Sequence, residues 1–95
     1  MTDRGFERGD PVHEAVFEFS YPTERSARTL ERAVAPEVGE IEGDRSSATV
    51  SREPRTVTVV VEAADLVALR AGINTWCSLV SVAERVAESA DRTET

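Results

Sequence analysis

The hydrophobic and polar positions alternate first, then follow a helical rhythm, alternate twice more, and end in a long helical stretch. In VHEAVFEFS, residues 12–20, Ala15, Phe17 and Phe19 point one way; Glu14, Glu18 and Ser20 point the other, and Val16 breaks the polar row. That period of two predicts a strand with one buried face. YPTERSARTLERAVAPE follows, and Pro22 and Thr23 make a helix start, with Thr23 as N-cap and Glu24 in the first turn. Ala27, Leu30, Ala33 and Val34 form a narrow apolar stripe. Pro36 ends it, because the residue before a proline avoids the helical region. So short a helix needs a neighbour to persist. EVGEIEGDR reads as a loop with Gly39 and Gly43, and SSATVSR, residues 46–52, as a modest strand polar enough for a sheet edge. After a turn at Glu53-Pro54-Arg55 comes the strongest strand, TVTVVVEA, residues 56–63, with Val57, Val59 and Val61 on one face. The predicted order is strand, helix, strand, strand, long helix.

The last helix starts near Asp65 and runs to about Ala90. It would reach roughly 39 Å at the usual rise per residue, against roughly 17–27 Å for a strand of five to eight residues. Placed at 100° steps, its residues make two apolar zones. Leu66, Leu69, Ile73, Trp76, Val80, Ala83 and Ala87 form the first, which suits the valine face of the sheet. Ala68, Gly72, Leu79, Val82, Val86 and Ala90 form the second, with no obvious home inside so small a chain. Leaving Leu79, Val82 and Val86 wet forgoes about 1.5–3 kcal/mol each, and a patch of that kind marks an interface. Gly72 disfavours a helix interior unless another backbone comes close. The expected partner interface is Gly72, Trp76, Leu79, Val82 and Val86.

With 95 residues the chain is long enough for one domain, expected over residues 12–90, between a polar arm at 1–11 and a frayed tail at 91–95. No apolar run approaches the length of a membrane span, and MTDRGFERGD lacks the order of a signal peptide. Together with a lone Cys77, these features give the expectation of a cytoplasmic protein that needs no membrane. The charge changes the picture more: 18 acidic residues face 11 basic ones, every basic residue is Arg, and the net charge is −7. Such acidity suits a salt-rich cytoplasm, where screening relieves self-repulsion. It also opposes nonspecific grip on nucleic acid, which depends on neutralising phosphates.

Catalytic constellations are not found. His13 is the only histidine and opens a strand; a small hydrolase or isomerase built on it is a weak third reading. Cys77 reads as a small structural residue, since a reactive thiol wants a basic neighbour or a helix N-terminus. No Cys–His cluster supports zinc, no phosphate-binding glycine loop is present, and no cofactor is implied. Glu37, Glu40, Glu42 and Asp44 read as solvated surface. A stand-alone KH-like RNA-binding module would have a similar run of elements, but that module needs a GxxG loop, which this chain lacks.

FEFSYPTERSARTLERAVAPEVG followed by RSSATVSREPRTVTVVVEAADLVALRAGINTWCSLVSVAERV resembles the small dimerisation subunit of the archaeal KEOPS complex, over roughly residues 14–88. Pro36 and Glu37 match the step that ends the family's first helix; Ala63 and Asp65, then Leu69, Arg70, Ala71 and Asn74, match the opening of its last. The resemblance implies an α+β fold, a three-stranded antiparallel sheet in the order β-α-β-β-α with two helices on one face. It implies no catalysis. KEOPS makes threonylcarbamoyladenosine in tRNA, and this family's subunit forms a homodimer in which each copy binds the N-terminal helices of one catalytic threonylcarbamoyltransferase subunit. Any tRNA contact is expected to be indirect or weak, with Arg25, Arg28 and Arg32 on the short helix as candidates.

Overall fold

The structure, a computed structural model, describes residues 12–41 and 45–94. The expected arm at 1–11, part of the glycine loop and the Ala90 side chain lie outside the described residues. Strand β1 spans His13–Ser20, helix α1 Glu24–Val34, β2 Gly39–Ile41, β3 Ser46–Glu53, β4 Thr56–Ala63 and helix α2 Leu66–Glu94.

The three long strands pair antiparallel with the strongest, β4, in the middle, and both helices cover one face. Phe17 and Val50 each stand opposite Val59, while Ala15 and Ala48 stand opposite Val61. This register stacks Ala15, Phe17, Phe19, Ala48, Val50, Val57, Val59 and Val61 on one face and leaves Val16 and Val60 on the other, as a period of two requires. Val57, Val59 and Val61 are fully buried there beneath Ala27, Leu30 and Val34 of α1 and Trp76, Val80 and Ala83 of α2. The opposite face carries Glu14, Val16 and Glu18 of β1, of which Val16 is 54% exposed.

Local chemistry explains the element ends. The Thr23 hydroxyl accepts the Ser26 amide at 3.0 Å, the expected N-cap of α1. After Val34 the chain tightens into a 3-10 turn, Ala35–Glu37, around Pro36. At the start of α2 the Asp65 carboxylate accepts the Ala68 amide at 2.8 Å and is also held by Arg45.

Two expectations change. The glycine loop is not wholly irregular: Gly39 adopts φ +123°, open to glycine without strain, and starts the short strand β2. Gly39–Ile41 pairs with Ser46–Ala48, so the sheet gains a fourth strand in the order β1-β4-β3-β2. Strand β3, expected at an edge, is therefore interior; β1 and β2 form the edges. Helix α2 also runs past Ala90 to Glu94, with 29 residues. It extends about 43 Å and overhangs the sheet.

Candidate partner-binding groove

The buried seam of α2 runs through Gly72, Trp76, Val80 and Ala83, with Leu69, Ile73 and Ala87 half-buried beside it. A spacing of four, four and three follows one face of a helix. Leu66 does not join the seam as expected and is 63% exposed, because the first turn of α2 lies where the sheet ends. By length and composition Leu66–Ser89 could cross a bilayer, with a mean hydropathy of 1.4. The seam onto the sheet uses part of that apolar surface.

The second zone divides. Gly72 of this zone is buried, and so is Trp76 of the first zone, at 1% exposure; both, expected at a partner interface, belong instead to the chain's own interior. The indole is large enough to span from α2 to the sheet, and Gly72 sits one turn before it on the same line. Leu79 is half-buried against the core. Val82 and Val86 remain in solvent, 55% and 59% exposed.

These two valines form one wall of a groove of 740 Å³ between the helices. Ala33 and Val34 of α1 line the other side, with Leu79 toward the floor and Asn74, Thr75 and Ser78 toward one end. An apolar channel with a few polar groups at its rim suits an amphipathic helix, whose anchors recur every three to four residues. Sequence reading located Leu79, Val82 and Val86. It missed Ala33 and Val34, although their stripe on α1 was visible, because the relative placement of the two helices is not written in either periodicity.

The other candidates are scattered. Arg25 and Arg32 are exposed on α1, and Arg28 is half-buried, its guanidinium 3.8 Å from Glu24. Cys77 is exposed rather than packed, since it falls on the solvent side of α2. His13 is half-buried at the start of β1, opposite Ala63. The Ala68 amide, then Arg45, hold the Asp65 carboxyl below its ordinary range, with His13 contributing least. Among the described residues no group of three or more His, Cys, Asp or Glu is placed to hold a metal.

On the flank of α2 away from the groove, the Tyr21 hydroxyl donates to Oε2 of Glu84 at 2.8 Å. Burial, then the hydrogen bond and the negative charge of Glu84, push the phenol above its ordinary range. Nothing in the sequence pattern pairs these two residues.

A family described as "Transcription factor Pcc1" matches residues 14–88. The chain belongs to the Pcc1 family. That is the family of KEOPS subunits whose likeness the sequence carries, so the resemblance is borne out at family level. Among solved structures, a chain from the crystal structure of the binary complex Gon7-Pcc1 superimposes with a TM-score of 0.63 at 18% identity, covering 87% of this chain and 96% of that one. At that identity the likeness speaks for the fold. No curated protein matches the chain.

Proposed function

We propose that this Pcc1-family chain is a non-catalytic assembly subunit of KEOPS, the complex that makes threonylcarbamoyladenosine in tRNA. The groove between α1 and α2 receives an N-terminal helix of the catalytic threonylcarbamoyltransferase, and a second copy of the chain joins along a sheet edge. The observation that carries this reading is the groove itself: two valines more than half exposed, one turn apart, facing an apolar stripe on α1. Covering them returns on the order of 1 kcal/mol each, and a docked helix completes a helical layer over the sheet. Strand β1 supports the dimer. It is an eight-residue edge without proline or lysine, the kind of edge that accepts another strand.

The described chemistry favours assembly over catalysis, because the candidate reactive groups, His13 and Cys77, lie on different elements. The net charge of −7 opposes direct gripping of DNA or RNA, so a transcriptional role by DNA contact and a stand-alone KH-like RNA module are both disfavoured. Contact with tRNA through Arg25, Arg28 and Arg32 is secondary in this reading. We also place the protein in a salt-rich cytoplasm, in keeping with its acidity.

Co-purification from the native cell at native salt, with mass determination, tests the proposal. The large transferase is expected at equal copy number, in an assembly holding two of each chain. Recovery of the chain alone, or with partners lacking the transferase, overturns it.

A further inference from the structure

The outer wall of the groove is the C-terminal half of α2, and the seam fixing that half thins along the helix. Its buried positions pass from Trp76 to Val80 to Ala83, with Ala87 only half-buried. The side chain shrinks from Trp to Val to Ala and the last alanine is less buried, so apolar stabilisation falls along the helix. At the level of Ala87 a cleft of 280 Å³ separates the start of α1 from α2, lined by Pro22, Ser26, Leu30 and Ala87 together with Tyr21 and Glu84. Apolar packing therefore weakens toward the turn that carries Val86.

The Tyr21–Glu84 hydrogen bond bridges this cleft at 2.8 Å. Tyr21 is a firm anchor, because its amide donates to the Arg55 carbonyl at 2.9 Å and ties it to the β3–β4 turn. At 100° per residue, Glu84 stands about 160° around the helix from both Val82 and Val86. Rotating or lifting this half of α2 would break the bond and move both valines. Neither partner of the bond lines the groove.

We propose that Tyr21 and Glu84 are a positioning pair that holds the C-terminal half of α2 so that Val82 and Val86 stay presented to the groove. The pair acts through α2 and not by touching the partner helix. Its consequence for binding rests on the groove reading above; its effect on α2 does not.

Amide hydrogen exchange on the full chain, wild type against Tyr21→Phe, separates the two. In Tyr21→Phe the amides of residues 82–89 are expected to exchange about tenfold faster, while those of residues 69–80 keep their protection and Trp76 fluorescence stays unshifted. Glu84→Gln, whose amide oxygen still accepts from the hydroxyl, keeps most of the protection; Glu84→Leu loses it. Affinity of Tyr21→Phe for the purified transferase falls in parallel, by up to tenfold. Unchanged exchange at residues 82–89, or an increase spread evenly over α2 and the sheet as general destabilisation gives, overturns the proposal. Failure of the wild type to bind the transferase counts against the groove reading alone, and the exchange result still decides the positioning role.

Discussion

The Nε of Arg52 donates to Oε1 of Glu31 across 2.8 Å, tying β3 to α1. Arg52 projects from the helix-covered face of the sheet, in register with Val57. It also lies 3.7 Å from Glu24 and donates to the Pro54 carbonyl at 3.3 Å. A short helix with three buried residues gains a second attachment this way. Arg52→Ala is expected to lower unfolding stability by about 1 kcal/mol, reduced from the value for a buried charged hydrogen bond because both side chains are partly exposed. Denaturant melts check this, and a double-mutant cycle with Glu31→Ala should return a coupling of the same sign. A coupling of zero would show the pair to be ornamental.

Asp65 caps α2. Its folded carboxyl titrates below the ordinary value of 3.8, mainly through the Ala68 amide and Arg45. A depressed carboxyl contributes stability that is complete above that ordinary value and is lost as pH falls through the folded one. Asp65→Ala should therefore melt at a lower temperature than wild type at neutral pH, and the difference should close in acid. Thermal melts from neutral pH to below pH 3 measure it; a gap that persists in acid would point to a cause other than the carboxylate.

Tyr21 is the only tyrosine, and its phenol is raised above the ordinary value of 10.0. A raised group contributes stability that is fully present below its unfolded value and lost as pH rises through the folded one. Absorbance at 295 nm should stay silent through pH 10 and then rise together with loss of helical circular dichroism. Smooth ionisation near pH 10 with the helices intact would mean that the hydroxyl is not held by Glu84.

Salt should stabilise the fold. The net charge is −7, and on the open sheet face Glu14 stands directly across from Glu62. Like charges at opposed strand positions repel, and salt screens them. Dilution into low-salt buffer should lower the melting temperature, and Glu14→Gln should restore about 0.3 kcal/mol there but nothing at molar salt. Melting that is indifferent to salt would remove the reading of the acidity as an adaptation.

The layers of the fold were legible because periodicity records burial. Phe17 and Phe19, then Val57, Val59 and Val61 of β4, and the Trp76–Val80–Ala83 line each point to the core in the sequence and lie on it or against it in the structure. Strand β2 was not legible. Three residues are too few for a period, and the strand opens on Gly39 with its positive φ. The groove was half legible: Val82 and Val86 betray a surplus apolar flank, but the opposite wall depends on where α1 settles. Trp76 carries two expectations, the sheet-facing zone and the partner interface, and its burial decides for the first; Gly72, expected on the second zone, is buried as well. The Tyr21–Glu84 bond joins positions 63 apart, a relationship no local pattern encodes.

The central claim is that Val82 and Val86 of α2 are a docking surface for the catalytic subunit. Calorimetric titration of the purified transferase into wild type, Val82→Asp and Val86→Asp at native salt tests it most directly. Both valines lie outside the core, so both variants should keep the wild-type circular dichroism and melting temperature. Wild type should bind one to one, and each aspartate should weaken binding at least tenfold, about 1.4 kcal/mol. Undiminished affinity in both folded variants would contradict the account.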